Sequence, residues 1–231
     1  MGDAKGMNRR DFFARLTKGA AAAAVGGVVW GGFVREAKDA PLALRPPGAL
    51  PEADFLALCT RCGECMKICP TKVIQPQGLE QGLIGFSAPK MVMRIAGCDQ
   101  ECNLCGMVCP TGALRRLEVE EKKYAKLGTA EINKERCLVW AWNKPCLICD
   151  EICPYNAIVF HTIEGMRRPI VIPSRCNGCG WCEYACPVEG ESAIRVSKSG
   201  EIRLKEGSYK QEALRRGIDL ESSDLLEEKG E

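Results

Sequence analysis

One cysteine spacing constrains this chain more than any other feature. Cys59, Cys62, Cys65 and Cys69, followed by Pro70, read C-x2-C-x2-C-x3-C-P, and Cys176, Cys179, Cys182, Cys186 and Pro187 repeat that pattern. Between them stand two variants: Cys98, Cys102, Cys105, Cys109 and Pro110, spaced C-x3-C-x2-C-x3-C-P, and Cys137, Cys146, Cys149, Cys153 and Pro154, spaced C-x8-C-x2-C-x3-C-P. The 16 cysteines of the 231-residue chain divide among these four sets with none left over. Three chemistries consume cysteine on this scale. Structural disulfides are poorly served by cysteines at successive two-residue gaps. Structural zinc normally uses two C-x2-4-C pairs separated by a longer loop, not a triplet with a fourth cysteine and a proline behind it. The run C-x2-C-x2-C-x3-C-P is the binding pattern of a 4Fe-4S cluster, so all sixteen cysteines are read as iron ligands of four 4Fe-4S clusters.

The spacing carries its own geometry. Three cysteines at short intervals let one loop wrap three corners of a cubane, while the fourth, on the short helix that follows, points to a neighbouring cluster. The proline then disfavours helix at the preceding residue and turns the chain away. Gly63, Gly178 and Gly180 permit the tight loop and free backbone N–H groups for cluster sulfur. Apolar stretches flank the sets: Val73-Ile74, Ala113-Leu114, Ala157 to Phe160 and Ala193 to Val196 after them, Ala130 to Ile132 and Pro169 to Ile172 before the third and fourth. The unit reads strand, cysteine loop, short helix, strand. The expected fold is α+β: two ferredoxin-like modules, each built from two such units around two clusters. Spacing leaves two pairings open, first set with second and third with fourth, or first with fourth and second with third. The nested pairing is preferred because it matches the two regular sets, and Cys186 would then complete the first cluster.

Composition agrees with a core made partly of clusters, for 46% of the chain is hydrophobic but only 6% aromatic. With 32 basic and 30 acidic side chains, the net charge of +2 is far from the basic excess that nucleic-acid binding proteins usually carry, and no nucleic-acid partner is expected. Four thiolates around an oxidised core leave about −2 per site, so the loaded protein carries about −6. No haem-attachment, dinucleotide or phosphate-loop motif is present, and no acid–base constellation stands out. Catalytic residues are therefore read as none, and the chain as an electron-transfer component rather than a self-contained enzyme. The single histidine, His161, reads as a strand-end surface residue. Met91, Met93, Trp140, Trp142 and Trp181 are read as shields against water.

Residues 1–40 read as a twin-arginine export segment, with Arg9-Arg10 ahead of an Ala/Gly/Val run that extends 16 residues from Gly19 to Val34. That is shorter than the roughly 18 to 20 residues a membrane span needs. No clean cleavage site is evident near Ala37 or Ala40, so the reading leaves two fates open, cleavage or retention as a short anchor. Folded export suits a protein whose cofactors are inserted first, which places this one in the periplasm or on the outer face of the cytoplasmic membrane. Residues 41–58 read as a Pro-rich linker and short helix, 59–199 as the four-motif region and 200–231 as a charged tail, solvated and mobile from Asp219 onward.

Arg9-Arg10, Leu44-Arg45-Pro46-Pro47-Gly48-Ala49, the Cys59 to Cys65 loop and the Cys176 to Cys182 loop together resemble the MauM/NapG family of periplasmic polyferredoxins. The stretch before the first cysteine is the more discriminating part. The second set departs from the family's usual spacing at Cys102. The resemblance implies four 4Fe-4S clusters, a NapH-like multi-span membrane partner taking electrons from quinol, and a periplasmic reductase or cytochrome as acceptor. Two alternatives stay open: an electron-transfer subunit of an exported molybdenum-type oxidoreductase, and a maturation factor for such an enzyme.

Overall fold

The computed structural model describes residues 9–39, 43–79 and 82–220. The start of the export segment, its end at Ala40, Pro41 of the linker and the acidic tail from residue 221 lie outside the described residues.

The first helix, α1, spans Arg9–Asp39. Alanine favours the helix, but glycines spoil a continuous apolar face, and every side chain described on it is exposed, Phe13, Leu16 and Val25 included. Among the described residues no helix is long and apolar enough to cross a membrane.

The stretch expected to be a linker is instead part of the core from Ala43 onward. Ala43, Arg45, Ala49 and Leu50 are buried, and Ala49 forms an isolated antiparallel bridge with Leu114. Prolines keep it out of regular structure, as the composition implies, yet they do not keep it off the protein. Arg45 is the reason: its guanidinium ion-pairs with Glu52 at 2.7 Å, donates to the Pro89 carbonyl at 2.9 Å and stacks over Phe55. The short helix α2 (Glu52–Leu58) then leads to Cys59.

From there the two halves of the cysteine region follow one plan. In the N-terminal half come α3 (Glu64–Ile68), β1 (Ile74–Pro76), β2 (Pro89–Met91) and α4 (Leu104–Met107). α5 (Val119–Lys123) joins the halves, and β3 (Thr129–Ile132), α6 (Leu138–Trp142), α7 (Ile148–Glu151), β4 (Ile158–Ile163), β5 (Met166–Val171), α8 (Trp181–Ala185) and β6 (Ile194–Ser197) follow. Each half holds an antiparallel hairpin between its two cysteine sets, β1–β2 with Ile74 opposite Met91, and β4–β5 with Ile158 opposite Val171. Each is closed by a pairing of its ends, Ala49 with Leu114 and β3 with β6. The strands expected after the first, third and fourth sets form. That after the second is reduced to the single bridge, and β2 has no counterpart in the sequence reading.

One apolar core runs through both halves and includes Val73, Ile74, Met91, Leu114, Ala130, Ile158 and Ile194 together with buried cysteines. A second, smaller core involves the segment read as a charged tail. Residues 201–220 fold back, and α9 (Tyr209–Arg215) buries Tyr209 and Ala213 beside Tyr124, Ile202 and Ile218. Ser208 caps α9 by accepting from the Gln211 N–H, and the Glu121 carboxylate accepts from the Ser208 hydroxyl at 2.6 Å and the Tyr209 N–H at 2.7 Å. Arg203 reaches back to Glu52 at 2.6 Å.

Candidate functional site

The sixteen thiols, none in a disulfide, gather around four cavities. Cys59, Cys62, Cys65 and Cys109 line the first, with open space of about 350 Å³. Cys98, Cys102, Cys105 and Cys69 line the second, about 340 Å³. Cys137, Cys146, Cys149 and Cys186 line the third, about 410 Å³, and Cys176, Cys179, Cys182 and Cys153 the fourth, about 340 Å³. Every cavity thus takes three cysteines from one set and the fourth cysteine from another, as the spacing implies. The preferred nested pairing is overturned: Cys186 sits with the third set and Cys109 with the first. The hairpins explain this, because β1–β2 and β4–β5 return the chain at once and place consecutive sets side by side.

Loop conformation follows residue type. In the two regular sets the chain enters the short helix through a left-handed residue, Gly63 at φ 82° and Gly180 at φ 83°. Two residues earlier Gly178 (φ 80°) and Arg61 (φ 56°) are left-handed as well. The irregular sets enter theirs through Asn103 and Leu147 at φ −127° and −122°. The long gap of the third set is taken up by α6, where Trp140 donates its indole N–H to the Pro169 carbonyl at 3.1 Å and carries Lys134 and Arg168 over its ring.

Backbone N–H groups point at thiol sulfur: Leu114 to Cys109 at 3.4 Å, Ala157 to Cys153 at 3.3 Å and Ala130 to Cys176 at 3.4 Å. At Cys109 burial raises the thiol, but the N–H groups of Leu114, Thr111 and Gly112 and the Thr111 hydroxyl outweigh it and hold it below the ordinary thiol value. At three of the deeper thiols burial dominates. Cys65 is pushed up to about 12 by burial and then by Cys59 and Cys62, and Cys149 and Cys179 likewise reach about 12. Four such thiols cannot all ionise beside one another without a cationic core between them.

Among the described residues no three of His, Cys, Asp and Glu converge tightly enough to hold a single metal ion. The thiols ring a space rather than a point, and the donor set is all sulfur. That fits a multi-iron core better than zinc.

The 4Fe-4S dicluster domain family matches residues 58–113 and 144–189. The chain is 36% identical over 206 residues to the methylamine utilization ferredoxin-type protein MauM of Methylorubrum extorquens, covering 85% of this chain and 91% of that one. It is 35% identical over 199 residues to the ferredoxin-type protein NapG of Escherichia coli, covering 81% and 84%. This chain belongs to the MauM/NapG family of ferredoxin-type proteins. It is also 29% identical over 153 residues to the ferredoxin-type protein NapF of Escherichia coli. Membership makes it an iron–sulfur electron-transfer protein of the ferredoxin type.

The remaining expected residues divide. Met91 is buried on the second cavity, Met93 is buried against Gly180, and Trp181 covers Gly97. Trp142 is 55% exposed, in a run from Ala141 to Lys144 that is exposed throughout, and shields no cavity. His161 is exposed on β4, opposite Arg168. The sequence reading missed Arg94, whose guanidinium donates to the carbonyls of Glu183, Cys186 and Val188 at 3.1, 2.8 and 2.7 Å and so clamps the fourth set to the N-terminal half. It missed Tyr155 on the fourth cavity too. Neither carries a local signal, since both act across the fold.

Proposed function

We propose that the protein carries four 4Fe-4S clusters, one per cavity and each held by the four cysteines named above, and relays single electrons from a membrane quinol-oxidising partner to a periplasmic reductase or cytochrome. The clusters accept and release one electron each without bond making. The chain's part is to hold them in two ferredoxin-like modules, exclude water with the shared core and keep the centres near one another. The observation that supports this most is the division of sixteen thiols into four all-sulfur cavities with exchanged fourth ligands. The names of the relatives support a place in an electron-transfer system of the Nap or Mau kind, and Arg9-Arg10 ahead of the Ala/Gly/Val helix supports twin-arginine export to the periplasm.

Anaerobic iron and sulfide analysis with EPR of the reduced protein tests the reading. About sixteen iron atoms per chain are expected from four cubanes. A value near eight would leave two cavities empty and sink it. For the partner, recovery with a multi-span NapH-like membrane protein is expected, and recovery only with a large molybdenum subunit would replace the quinol link.

A further inference from the structure

The seam between the halves lies where the second and fourth cavities meet. The Cys98 N–H donates to the Cys179 carbonyl at 2.7 Å, the Leu127 N–H to the Asn177 carbonyl at 2.9 Å, and the Asn177 amide to the Lys123 carbonyl. Tyr155 lies there as well, its phenol pushed up by burial and then by the thiols of Cys179 and Cys98, one from each half.

Two lysines of the joining segment are buried at this seam, Lys122 at 6% exposure and Lys126 at 3%. Among the described residues neither meets a carboxylate. Lys122 donates to the carbonyl of Asp99, which lines the second cavity beside Cys98 and Cys105. Lys126 donates to the carbonyls of Pro173 at 2.7 Å and Cys176 at 2.6 Å, and the Cys176 thiol lines the fourth cavity. A buried ammonium with only carbonyl partners is strongly unfavourable unless an anion lies alongside. Several charged groups away from the seam are matched instead. Arg45 and Arg203 face Glu52 and Glu201, and Arg168 faces Glu164.

We propose that Lys122 and Lys126 are fixed counter-cations of the second and fourth centres, one each, and raise the potential of the centre each faces. The inference rests on the four-cluster reading, in which each site is an anion of about −2. Adding one electron to such a site makes it more negative, and a nearby buried cation favours that step. When an electron crosses the seam, the centre it leaves is oxidised and the one it enters is reduced, with no proton transferred. The lysines are positioning residues: they touch backbone carbonyls, not a substrate.

EPR-monitored redox titration of the full iron-loaded chain tests this with Lys122→Met, Lys126→Met and the corresponding Arg and Gln variants. Each neutral variant is expected to move one of the four potentials to more negative values and leave the other three in place. The double variant should move two, and arginine should restore the original value. Should a neutral variant lose iron, the expected loss is about four atoms, one cubane, regained in the arginine variant. Four unmoved potentials at full iron, an equal shift of all four, or a loss that arginine fails to reverse would overturn the assignment. Iron well below sixteen in the unsubstituted chain would instead overturn the four-cluster reading on which it rests.

Discussion

The first and fourth cysteine sets share one spacing and one backbone path, yet their surroundings are opposite. Both loops carry left-handed residues at the same two positions, and both run into a five-residue helix, α3 or α8. Around the first cavity Thr60, Arg61 and Cys62 are exposed, whereas Cys176 to Gly180 of the fourth are buried without a break. Gly63 has open space where a side chain would go. At Gly180 that space is filled by Met93, and at Gly178 by the backbone of Gly128. The spacing therefore dictates how a loop wraps, while burial of the loop depends on whether it faces the seam. The first loop is open to solvent and the fourth is enclosed by the rest of the protein.

The largest effect should separate the two loops at Gly178. A Cβ there would stand 2.6 Å from the Gly128 nitrogen, and its φ is 80°. Gly178→Ala should cost about 2 to 5 kcal/mol, from the left-handed conformation and from overpacking against an unyielding backbone. About four iron atoms should go with it, measured by iron analysis and thermal unfolding. The matching position of the first loop already holds Arg61, so Arg61→Gly should keep all its iron. Gly178→Ala with full iron and an unchanged unfolding midpoint would erase the distinction.

A matched pair sharpens it next. Gly63→Ala and Gly180→Ala carry the same conformational penalty, because φ is 82° and 83°. Only the second meets Met93, 2.4 Å from the built Cβ, so it should be the less stable by a further 1 to 3 kcal/mol or about that. Equal midpoints would show that Met93 moves aside freely.

The exposed end depends more on an ion network than on loop burial. Burial raises Glu52, but hydrogen bonds from Arg45 and then Arg203 more than offset it and hold the carboxyl below its ordinary value. A carboxylate depressed on folding stabilises at neutral pH, and that contribution is lost as pH falls below the ordinary carboxylate value through the lower folded one. Glu52→Gln should remove about 1 to 2 kcal/mol at pH 7, discounted for partial exposure, and flatten the acid side of the stability profile. A stability profile between pH 3 and 7 parallel to that of the unsubstituted chain would dismiss the network.

Two smaller effects complete the contrast. On exposure to oxygen the EPR signal assigned to the first cavity should decay before that of the fourth, because Cys62 is exposed and Cys179 buried; simultaneous decay would mean that access does not differ. Trp142→Ala should change stability by no more than about 0.5 kcal/mol, as exposed positions generally do, whereas Trp140→Ala should cost more through its lost bond to Pro169.

What could be read from the residues was local. The left-handed loops, the short helices and most of the strands follow from glycines, cysteine spacing and apolar runs within a few positions. Features that needed distant partners escaped. β2 contains Pro89 and Met91 but no strand-like run, and it forms because β1 lies opposite. The tail's charges hid Tyr209 and Ala213, four residues apart on one face of α9, and Ala43 to Leu50 looked like a linker because Pro46 and Pro47 forbid regular structure without forbidding burial. Lys122 and Lys126, also four apart, are indistinguishable in sequence from solvated surface lysines.

By itself, then, the sequence determined the chemistry of the sites: sixteen sulfur donors in sets whose spacing suits a loop and a following helix, since ligand geometry is a short-range property of the chain. The tertiary structure decided which sets share a cavity and which cavities meet at the seam. Hairpin closure put consecutive sets side by side against the expected nesting, and packing of the halves buried one regular loop and left its twin at the surface. Those choices depend on contacts between residues far apart in the chain, which no spacing records.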